Sequence, residues 1–394
     1  MNSNLNRMVE RKKYKIVYVT PALYMAGGVE RVLTLKANYF AEQLGYDITI
    51  ILTEGKDKPY FFSLSSKVKV INFDLNFEEL WTSSFLKKIW VYLPKQCRFK
   101  KLLTIELMRI RPDITISLLR RDINFINDIK DGSKKVGELH VNRYNYRLLD
   151  YLDRKFWGRC FEFFWKRRLL THVKQLDKFV VLTQEDRDVW PELNDVAVIP
   201  LPLPFMPESM SPLIEKRVIA VGRYHYQKGF DLLLEAWEIV EKRYPDWKLS
   251  IYGQGDRKPY IDHARRLNLD LERCHLYGET PDIQSEYCNS SIFVLSSRYE
   301  GFGMVLIEAM ACGVPCVAFN CPYGPSDIIK NGQDGYLVEF SNTQALANSI
   351  CNLIENTELR KSFGKNARKN VLRYSQDTVM RQWVDLFDSL ITKG

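Results

Sequence analysis

The sequence lacks any long apolar run. Although 46% of the 394 residues are hydrophobic, no window reaches the ~18 unbroken apolar residues that a membrane-spanning helix needs. The first residues, MNSNLNRMVERKKYKIVYVT, pass from charges straight into a strand-like segment without an apolar signal region. We therefore expect a cytoplasmic protein without a secretory signal.

Clustered metal ligands are also missing. The eight cysteines contain no C-x-x-C pair, which predicts reduced thiols and no metal site. Cys312 and Cys316 suit the end of a helix and the start of a strand better than a zinc site. The D-x-D sequence from Asp186 to Asp188 is interpreted as the acidic first turn of a helix. The five histidines are 140, 172, 225, 263 and 275, and a lone histidine is most often structural.

Two common nucleotide-binding motifs are absent. The chain has neither G-x-G-x-x-G nor the glycine-lysine P-loop, which disfavours nicotinamide and P-loop sites. Gly27 and Gly28 instead close a turn after the first strand-like run. The following helix would present free N–H groups that favour anions, although a plain strand-to-helix turn explains the two glycines equally well.

Positive charge is concentrated in the first half of the chain. Residues 1–200 hold 35 Lys and Arg against 24 Asp and Glu, whereas the remainder holds 22 against 24. Because no nucleic-acid-binding motif is present, we expect an anionic membrane surface rather than nucleic acid. Residues 154–175 mix six aromatic side chains with seven Lys or Arg, as an interfacial helix does. A core helix with a basic outer face fits them nearly as well.

Strand-like runs alternate with amphipathic segments in both halves. YKIVYVT, DITIILT and KFVVLT in the first half, and RVIAVG, IFVLSS and GYLV in the second, are separated by helical patterns such as Val29 to Leu44. The proline-rich segment VIPLPLPFMPESMSPLIEK lies between the halves. This rhythm predicts an α/β protein with two Rossmann-like parallel-sheet domains, residues 1–205 and 213–374. A ligand cleft is expected where the carboxyl ends of their strands face each other.

Two loops of the second half carry charges suited to a ligand. Arg223 and Lys228, in VGRYHYQKGF, could neutralise a diphosphate, although a solvated charged loop is the simpler explanation. In SSRYEGFGMVLIEAMACGVPCVAF, a helix that begins near Gly303 places Glu308 among apolar side chains. A carboxylate there needs hydrogen-bond donors, and a pair of sugar hydroxyls would supply them.

Together these segments resemble the retaining glycosyltransferases of family four. The resemblance rests on the E-x7-E motif from Glu300 to Glu308, the GR…KG loop, the GGVER turn, and EGFG followed by EAMACGVPCVAF. It covers nearly the whole chain. It implies the GT-B fold, in which two Rossmann-like domains face each other across a cleft and a C-terminal helix, here residues 375–394, crosses back to the first domain.

The resemblance also implies how a nucleotide sugar is held. Arg223 and Lys228 would bind the diphosphate with help from the N–H groups of Gly28, Met304 and Val305. No metal ion and no cofactor are expected, because these groups neutralise the phosphates. We expect the donor to be a UDP-sugar.

Further positions are assigned to the sugar and the ribose by the same resemblance. Glu308 would bind the ribose hydroxyls, and His140, in VGELHVNRY, would lie near the donor sugar. The hydroxyls of the transferred sugar would meet Glu300, Gly301, Phe302 and Gly303. The expected catalytic set is Glu300, His140, Arg223 and Lys228.

The expected reaction is the transfer of a hexose or N-acetylhexosamine with retention of configuration. The acceptor would be a glycan linked to the lipid polyprenyl diphosphate, in bacterial capsule or O-antigen synthesis at the inner face of the cytoplasmic membrane. Two other classes stay open. A nucleotide-sugar isomerase or epimerase of the same fold would need no acceptor, and a non-catalytic membrane-associated binding module would tolerate Glu300→Gln.

Overall fold

The computed structural model describes residues 12–80, 85–143 and 167–392. These residues build two parallel sheets with helices on both faces. The strands of the first sheet are β1 (Lys15–Thr20), β2 (Asp47–Leu52), β3 (Lys69–Asn72), β4 (Ile114–Ser117), β5 (Lys134–Glu138), β6 (Lys178–Val181) and β7 (Val196–Val198). Their spatial order is β3-β2-β1-β4-β5-β6-β7.

The second sheet is also parallel. Its strands are β8 (Arg217–Val221), β9 (Lys248–Tyr252), β10 (Cys274–Leu276), β11 (Ile292–Leu295), β12 (Cys316–Phe319) and β13 (Gly335–Val338). They lie in the order β10-β9-β8-β11-β12-β13. The strand order reverses between β1 and β4 and again between β8 and β11, which are the points where such sheets bind ligands at their carboxyl ends. The predicted fold class is confirmed.

The helices connect these strands and cover both faces of each sheet. They are α1 (Gly28–Glu42), α2 (Phe85–Ile110), α3 (described over 167–173), α4 (Gln184–Asp188), α5 (Phe230–Arg243), α6 (Lys258–Arg266), α7 (Ile283–Cys288), α8 (Met304–Ala311), α9 (Pro325–Ile328), α10 (Thr343–Glu355), α11 (Thr357–Asn370) and α12 (Gln376–Thr392). No helix in the described part of the chain combines the length and apolarity needed to cross a bilayer.

The C-terminal helix crosses back to the first domain, as predicted. Six side chains of α12 belong to the buried cluster that covers β1 and β2, namely Val379, Met380, Trp383, Val384, Leu386 and Phe387. The phenol of Tyr14, just before β1, also hydrogen-bonds Asp388 of α12. Apolar burial of this kind is the main stabilising contribution to a domain core, so the first domain depends on the last helix of the chain.

The proline-rich segment packs against the second domain over much of its length. Leu201 and Leu203 are buried in the core of that domain, and the Leu203 amide donates to the carbonyl of Tyr374 at 2.8 Å. Strand β7, which ends at Val198, was missed from the sequence because three apolar residues shortly before a proline are too short a run to indicate a strand. The domain limits at 205 and 213 stay predictions.

Most of the aromatic segment 154–175 lies outside the described residues. Its described end belongs to α3, where Leu169 and Val173 are buried in a core cluster. Cys312 follows the last residue of α8 and Cys316 begins β12, as the sequence indicated. The seven cysteines in the described ranges are free thiols.

Candidate active site

Two helices begin opposite each other in the cleft between the domains. A Cβ atom placed on Gly28, the first residue of α1, would lie 4.0 Å from the sulfur of Met304, the first residue of α8. Neither helix has a side-chain cap at its start. Free N–H groups at a helix start favour anions, so the N–H groups of Met304 and Val305 suit a phosphate in the cleft. Gly28 lies opposite them, but the Glu30 carboxylate covers the start of α1.

Glycine is required in the turn before α8. Gly303 has φ 94°, a backbone conformation that residues with a side chain rarely adopt. Gly301 meets the other domain directly, because a Cβ atom placed on it would lie 2.6 Å from the His140 carbonyl oxygen. The Asn142 amide also donates to the Glu300 carbonyl at 2.9 Å. The turn that carries the first glutamate of the motif is thus pressed against the end of β5.

Lys228 and Glu300, two of the predicted site residues, form a pair. The Lys228 Nζ atom lies 2.6 Å from Glu300 Oε1, and the Ser297 hydroxyl donates to the same oxygen at 2.6 Å. The Lys228 stem runs beside Gly222, where an added Cβ would be 3.0 Å away. Both charges are nearly buried, with side chains 13% and 7% exposed. Removing either partner of such a desolvated pair would leave the other charge buried without compensation, which is strongly destabilising.

Glu308, the second glutamate of the motif, is buried in α8 but has two hydrogen-bond donors. Arg31 Nη1 from α1 lies 2.8 Å from Oε1, and the Tyr287 hydroxyl lies 3.0 Å from Oε2. Burial raises the pKa of the Glu308 carboxyl, and Arg31 and Tyr287 oppose that rise. The donors expected from sugar hydroxyls are therefore supplied by the protein, and Arg31 carries this contact across the cleft. The Arg31 guanidinium also lies 5.7 Å from the Phe205 ring.

Arg223 occupies a different position from Lys228. It is exposed, and no hydrogen bond or ion pair to it is found within the described ranges. It does act on Glu30 of α1, whose carboxyl pKa is raised by burial while Arg120, His140 and Arg223 oppose the rise. The Glu30 carboxylate folds over the start of its own helix, because a Cβ atom on Gly27 would lie 2.0 Å from Glu30 Oε2. Arg223 thus faces the opening of the cleft, where a phosphate could approach.

His140 follows the end of β5 beside a buried acid. Its Nε2 atom lies 3.1 Å from Glu138 Oε1, and Glu138 Oε2 lies 2.6 Å from the ammonium of Lys36. Burial alone would raise the pKa of Glu138, but Lys36 and His140 together lower it to about 2. The Glu138 carboxylate is therefore ionised throughout the neutral range.

The other predicted positions contribute through their backbone. Phe302 is buried, with its ring centroid 5.5 Å from that of Tyr374, so only its main chain can face a ligand.

The D-x-D sequence lies in α4, where Asp186 Oδ1 accepts a hydrogen bond from the backbone N–H of Arg143 at 3.2 Å. Within the described ranges, no group of three or more His, Cys, Asp or Glu side chains could hold a metal ion.

Sequence reasoning missed four residues of this site. Arg31 follows Glu30 in the GGVER turn and could have been suspected from that motif, whereas nothing in the local sequence indicated that Tyr287 faces Glu308. Lys36 reads as an ordinary helical lysine. Glu138 was noted only as a neighbour of His140, since the sequence does not show where its side chain points.

Comparison with known proteins identifies the second domain. Residues 206–370 match the family model of glycosyl transferases group 1. These residues are a glycosyltransferase group 1 domain. An uncharacterized glycosyltransferase of Haemophilus influenzae is 29% identical over 374 residues, which cover 94% of this chain and 98% of that protein.

Two further likenesses concern related glycosyltransferases. The poly(ribitol-phosphate) alpha-N-acetylglucosaminyltransferase of Staphylococcus aureus is 35% identical over 271 residues, 66% of this chain and 51% of that protein. The crystal structure of TarM superimposes with a TM-score of 0.75 at 19% identity, covering 97% of this chain and 100% of TarM. The family model thus assigns residues 206–370 to a glycosyltransferase domain, and the likeness to TarM shows the GT-B architecture.

Proposed function

We propose that this glycosyltransferase retains configuration and moves a hexose or N-acetylhexosamine from a UDP-sugar to a glycan acceptor of a bacterial surface polymer. The observation that carries the proposal is the paired arrangement in the cleft. Lys228 and Glu300 lie 2.6 Å apart beside the buried Glu308, and the first residue of α8 faces the first residue of α1. A diphosphate, a ribose and a sugar ring need such groups.

These side chains can stabilise a departing diphosphate. Breaking the bond between the anomeric carbon and the phosphate oxygen leaves negative charge on the diphosphate, which fixed cations and helix N–H groups stabilise more strongly than they stabilise the bound donor. In the proposed reaction the acceptor oxygen attacks the same face, its proton passes to the departing phosphate oxygen, and a glycosidic bond forms. Arg223 and Lys228 would supply the positive charge, so we propose that no metal ion and no cofactor are required.

The choice of donor and polymer is supported by the related proteins. A crystal structure of Staphylococcus aureus TarM contains UDP. One relative is named for amylovoran biosynthesis and another is a poly(glycerol-phosphate) alpha-glucosyltransferase. We extend the UDP donor and the surface-polymer acceptor to this chain. The capsule or O-antigen type and the lipid linkage of the acceptor are further parts of the same proposal.

Donor binding can be tested by thermal shift with UDP, GDP and their sugars, each with and without EDTA. A ligand bound only by the folded protein raises its melting temperature, so a UDP-sugar should do so in EDTA. Lys228→Met should abolish the shift, whereas Lys216→Met, which removes an exposed lysine 60% open to solvent, should not. A shift with no nucleotide sugar, or only with added metal, would contradict the proposal. The anomeric configuration of the product is then determined by NMR.

Membrane association is proposed through α2 rather than through segment 154–175 alone. Trp90, Leu93, Ile105 and Met108 are exposed by 79%, 58%, 51% and 45%. Their spacing places them with exposed Lys101 along one face of the helix, while Phe99, Leu103 and Leu107 on the other face are buried. An apolar stripe among lysines suits an anionic lipid surface.

This surface can be tested by sedimentation with phosphatidylglycerol vesicles at low salt. Trp90→Ser with Leu93→Ser should weaken binding several-fold without changing the donor-induced thermal shift. Ile214→Ser removes an equally exposed apolar side chain, 68% open, outside this stripe and should bind as the parent protein does. Equal sedimentation of all three proteins, or none with any of them, would exclude α2 as the docking surface.

A further inference from the structure

A buried ion pair stands behind His140. The Lys36 and Glu138 side chains are each 1% exposed, and their charged atoms lie 2.6 Å apart. The second carboxylate oxygen, Oε1, is 3.1 Å from His140 Nε2. One carboxylate therefore joins a helix of the first domain to the histidine that was predicted to lie near the donor sugar.

The C-terminal helix closes this pair off from solvent. The ring of Trp383, from α12, lies 3.5 Å from the Lys36 ammonium, and Trp383 is 1% exposed. An aromatic face is attractive to a desolvated cation, and the ring also fixes where the ammonium can lie. Burial lowers the pKa of the Lys36 ammonium, and the Glu138 carboxylate opposes that fall.

The far end of this chain of contacts meets the candidate active site. The His140 carbonyl packs against Gly301, with only 2.6 Å available to an added Cβ. Asn142, two residues on, donates to the Glu300 carbonyl at 2.9 Å. A small rotation of the residues after β5 would therefore displace the turn that carries Glu300.

We propose that Glu138 and Lys36 are positioning residues for His140, an inference that rests on the proposed glycosyl transfer. A carboxylate can only accept, so Glu138 requires a proton on His140 Nε2. In the neutral ring Nδ1 is then unprotonated and accepts a hydrogen bond from a hydroxyl of the donor sugar. Lys36 holds the other oxygen of Glu138, which fixes the carboxylate in the direction of the ring, as an outer partner does for a metal-bound histidine.

The tautomer can be measured directly by long-range proton–nitrogen NMR on protein labelled at histidine. The chain has five histidines, and His140→Asn identifies the signal of interest. We expect the Nε2–H form in the parent protein and a mixture of both forms in Glu138→Gln, because a glutamine amide can either donate or accept. The Nδ1–H form in the parent, or an unchanged tautomer in Glu138→Gln, would overturn the proposal.

Kinetics of the full chain provide the second readout. Glu138→Gln should lower kcat about 10- to 100-fold, the size of effect seen for outer partners of metal ligands, while the donor KM changes little. Glu138→Asp should restore part of the rate. Lys36→Met with Glu138→Gln removes both buried charges, so it should fold well and remain slow. Parent-like kcat in that double variant would contradict the positioning role.

A matched control lies at the other end of the same strand. Lys135, in β5, pairs with Asp131 in a second buried ion pair that is remote from the cleft. Asp131→Asn should reduce stability but leave kcat unchanged. If kcat fell as much in Asp131→Asn as in Glu138→Gln, the effect of Glu138→Gln would be explained by a general loss of structure and the positioning role would be refuted. A parent protein inactive with every nucleotide sugar would refute the glycosyl transfer instead, and the NMR result would still decide whether Glu138 sets the tautomer.

Discussion

Lys36→Met would leave the Glu138 carboxylate buried without its cation. A carboxyl whose pKa falls from 4.5 to about 2 on folding contributes about 3 kcal/mol to stability at neutral pH. Removing one partner of a buried pair costs a similar ~3–5 kcal/mol. For a domain of this size that loss corresponds to a fall in melting temperature of about 6–20 °C.

The pH dependence of this loss has a definite sign. Because the pKa of Glu138 is lower in the folded protein, its stabilising effect is present above the unfolded value and disappears as the pH falls toward about 2. In Lys36→Met the unpaired carboxylate can instead take up a proton in mild acid. The difference in melting temperature between the variant and the parent should therefore shrink as the pH is lowered from 7 toward about 4.

The assay is thermal unfolding of the full chain at several pH values. Lys69→Met is the matched control, since it breaks an ion pair of 2.9 Å whose side chains are 66% and 39% exposed. Exposed pairs contribute about 0–1 kcal/mol, so this variant should melt close to the parent. Lys36→Met with Glu138→Gln should recover much of the loss. A single variant that costs less than about 1 kcal/mol would refute this account of the pair.

Three further predictions concern the cleft and α4. Glu308→Gln removes the carboxylate held by Arg31 at 2.8 Å and should weaken UDP binding about tenfold or more, as measured by calorimetry, whereas unchanged affinity would remove Glu308 from the ribose site. Gly301→Ala should lower donor turnover at least tenfold because the new Cβ would meet the His140 carbonyl at 2.6 Å, while Gly278→Ala, with no heavy atom within 4 Å, should be neutral; equal activities would contradict the contact. Burial raises the pKa of Asp186 from 3.8 to about 6, so the folded state binds this proton more tightly and loses about 3 kcal/mol of stability as the pH rises from about 4 to 6. Asp186→Asn should abolish that loss in melting curves recorded against pH, and an identical pH profile would disprove it.

The sequence predicted the architecture well because the strands of a parallel sheet have a recognisable sequence pattern. Strands buried on both faces are continuous apolar runs, as in β1 and β11, and the turns that follow them contain glycine. The start of α8 near Gly303 was likewise predicted from the EGFG turn. Strand β7 was missed because Val196–Val198 is too short for a periodic signal.

The contacts of the candidate site were less predictable. The buried environment of Glu308 followed from its apolar helical neighbours, but its partners Arg31 and Tyr287 lie 277 and 21 residues away in the chain. Local pattern cannot reveal such pairings. The burial of Lys36 was equally unpredictable from the sequence. A lysine in an amphipathic helix is expected on the exposed face unless it pairs with a buried carboxylate, here Glu138, that is distant in the chain.

The return of α12 to the first domain has a consequence for biosynthesis. Domains generally fold as units while the chain emerges from the ribosome, the N-terminal one first. Here Trp383 and Phe387 complete the core around β1 and β2, so the first domain cannot finish folding until α12 has been translated. All strands of the second sheet precede α12 in the chain. The second domain can therefore form its sheet before the core of the first domain is complete.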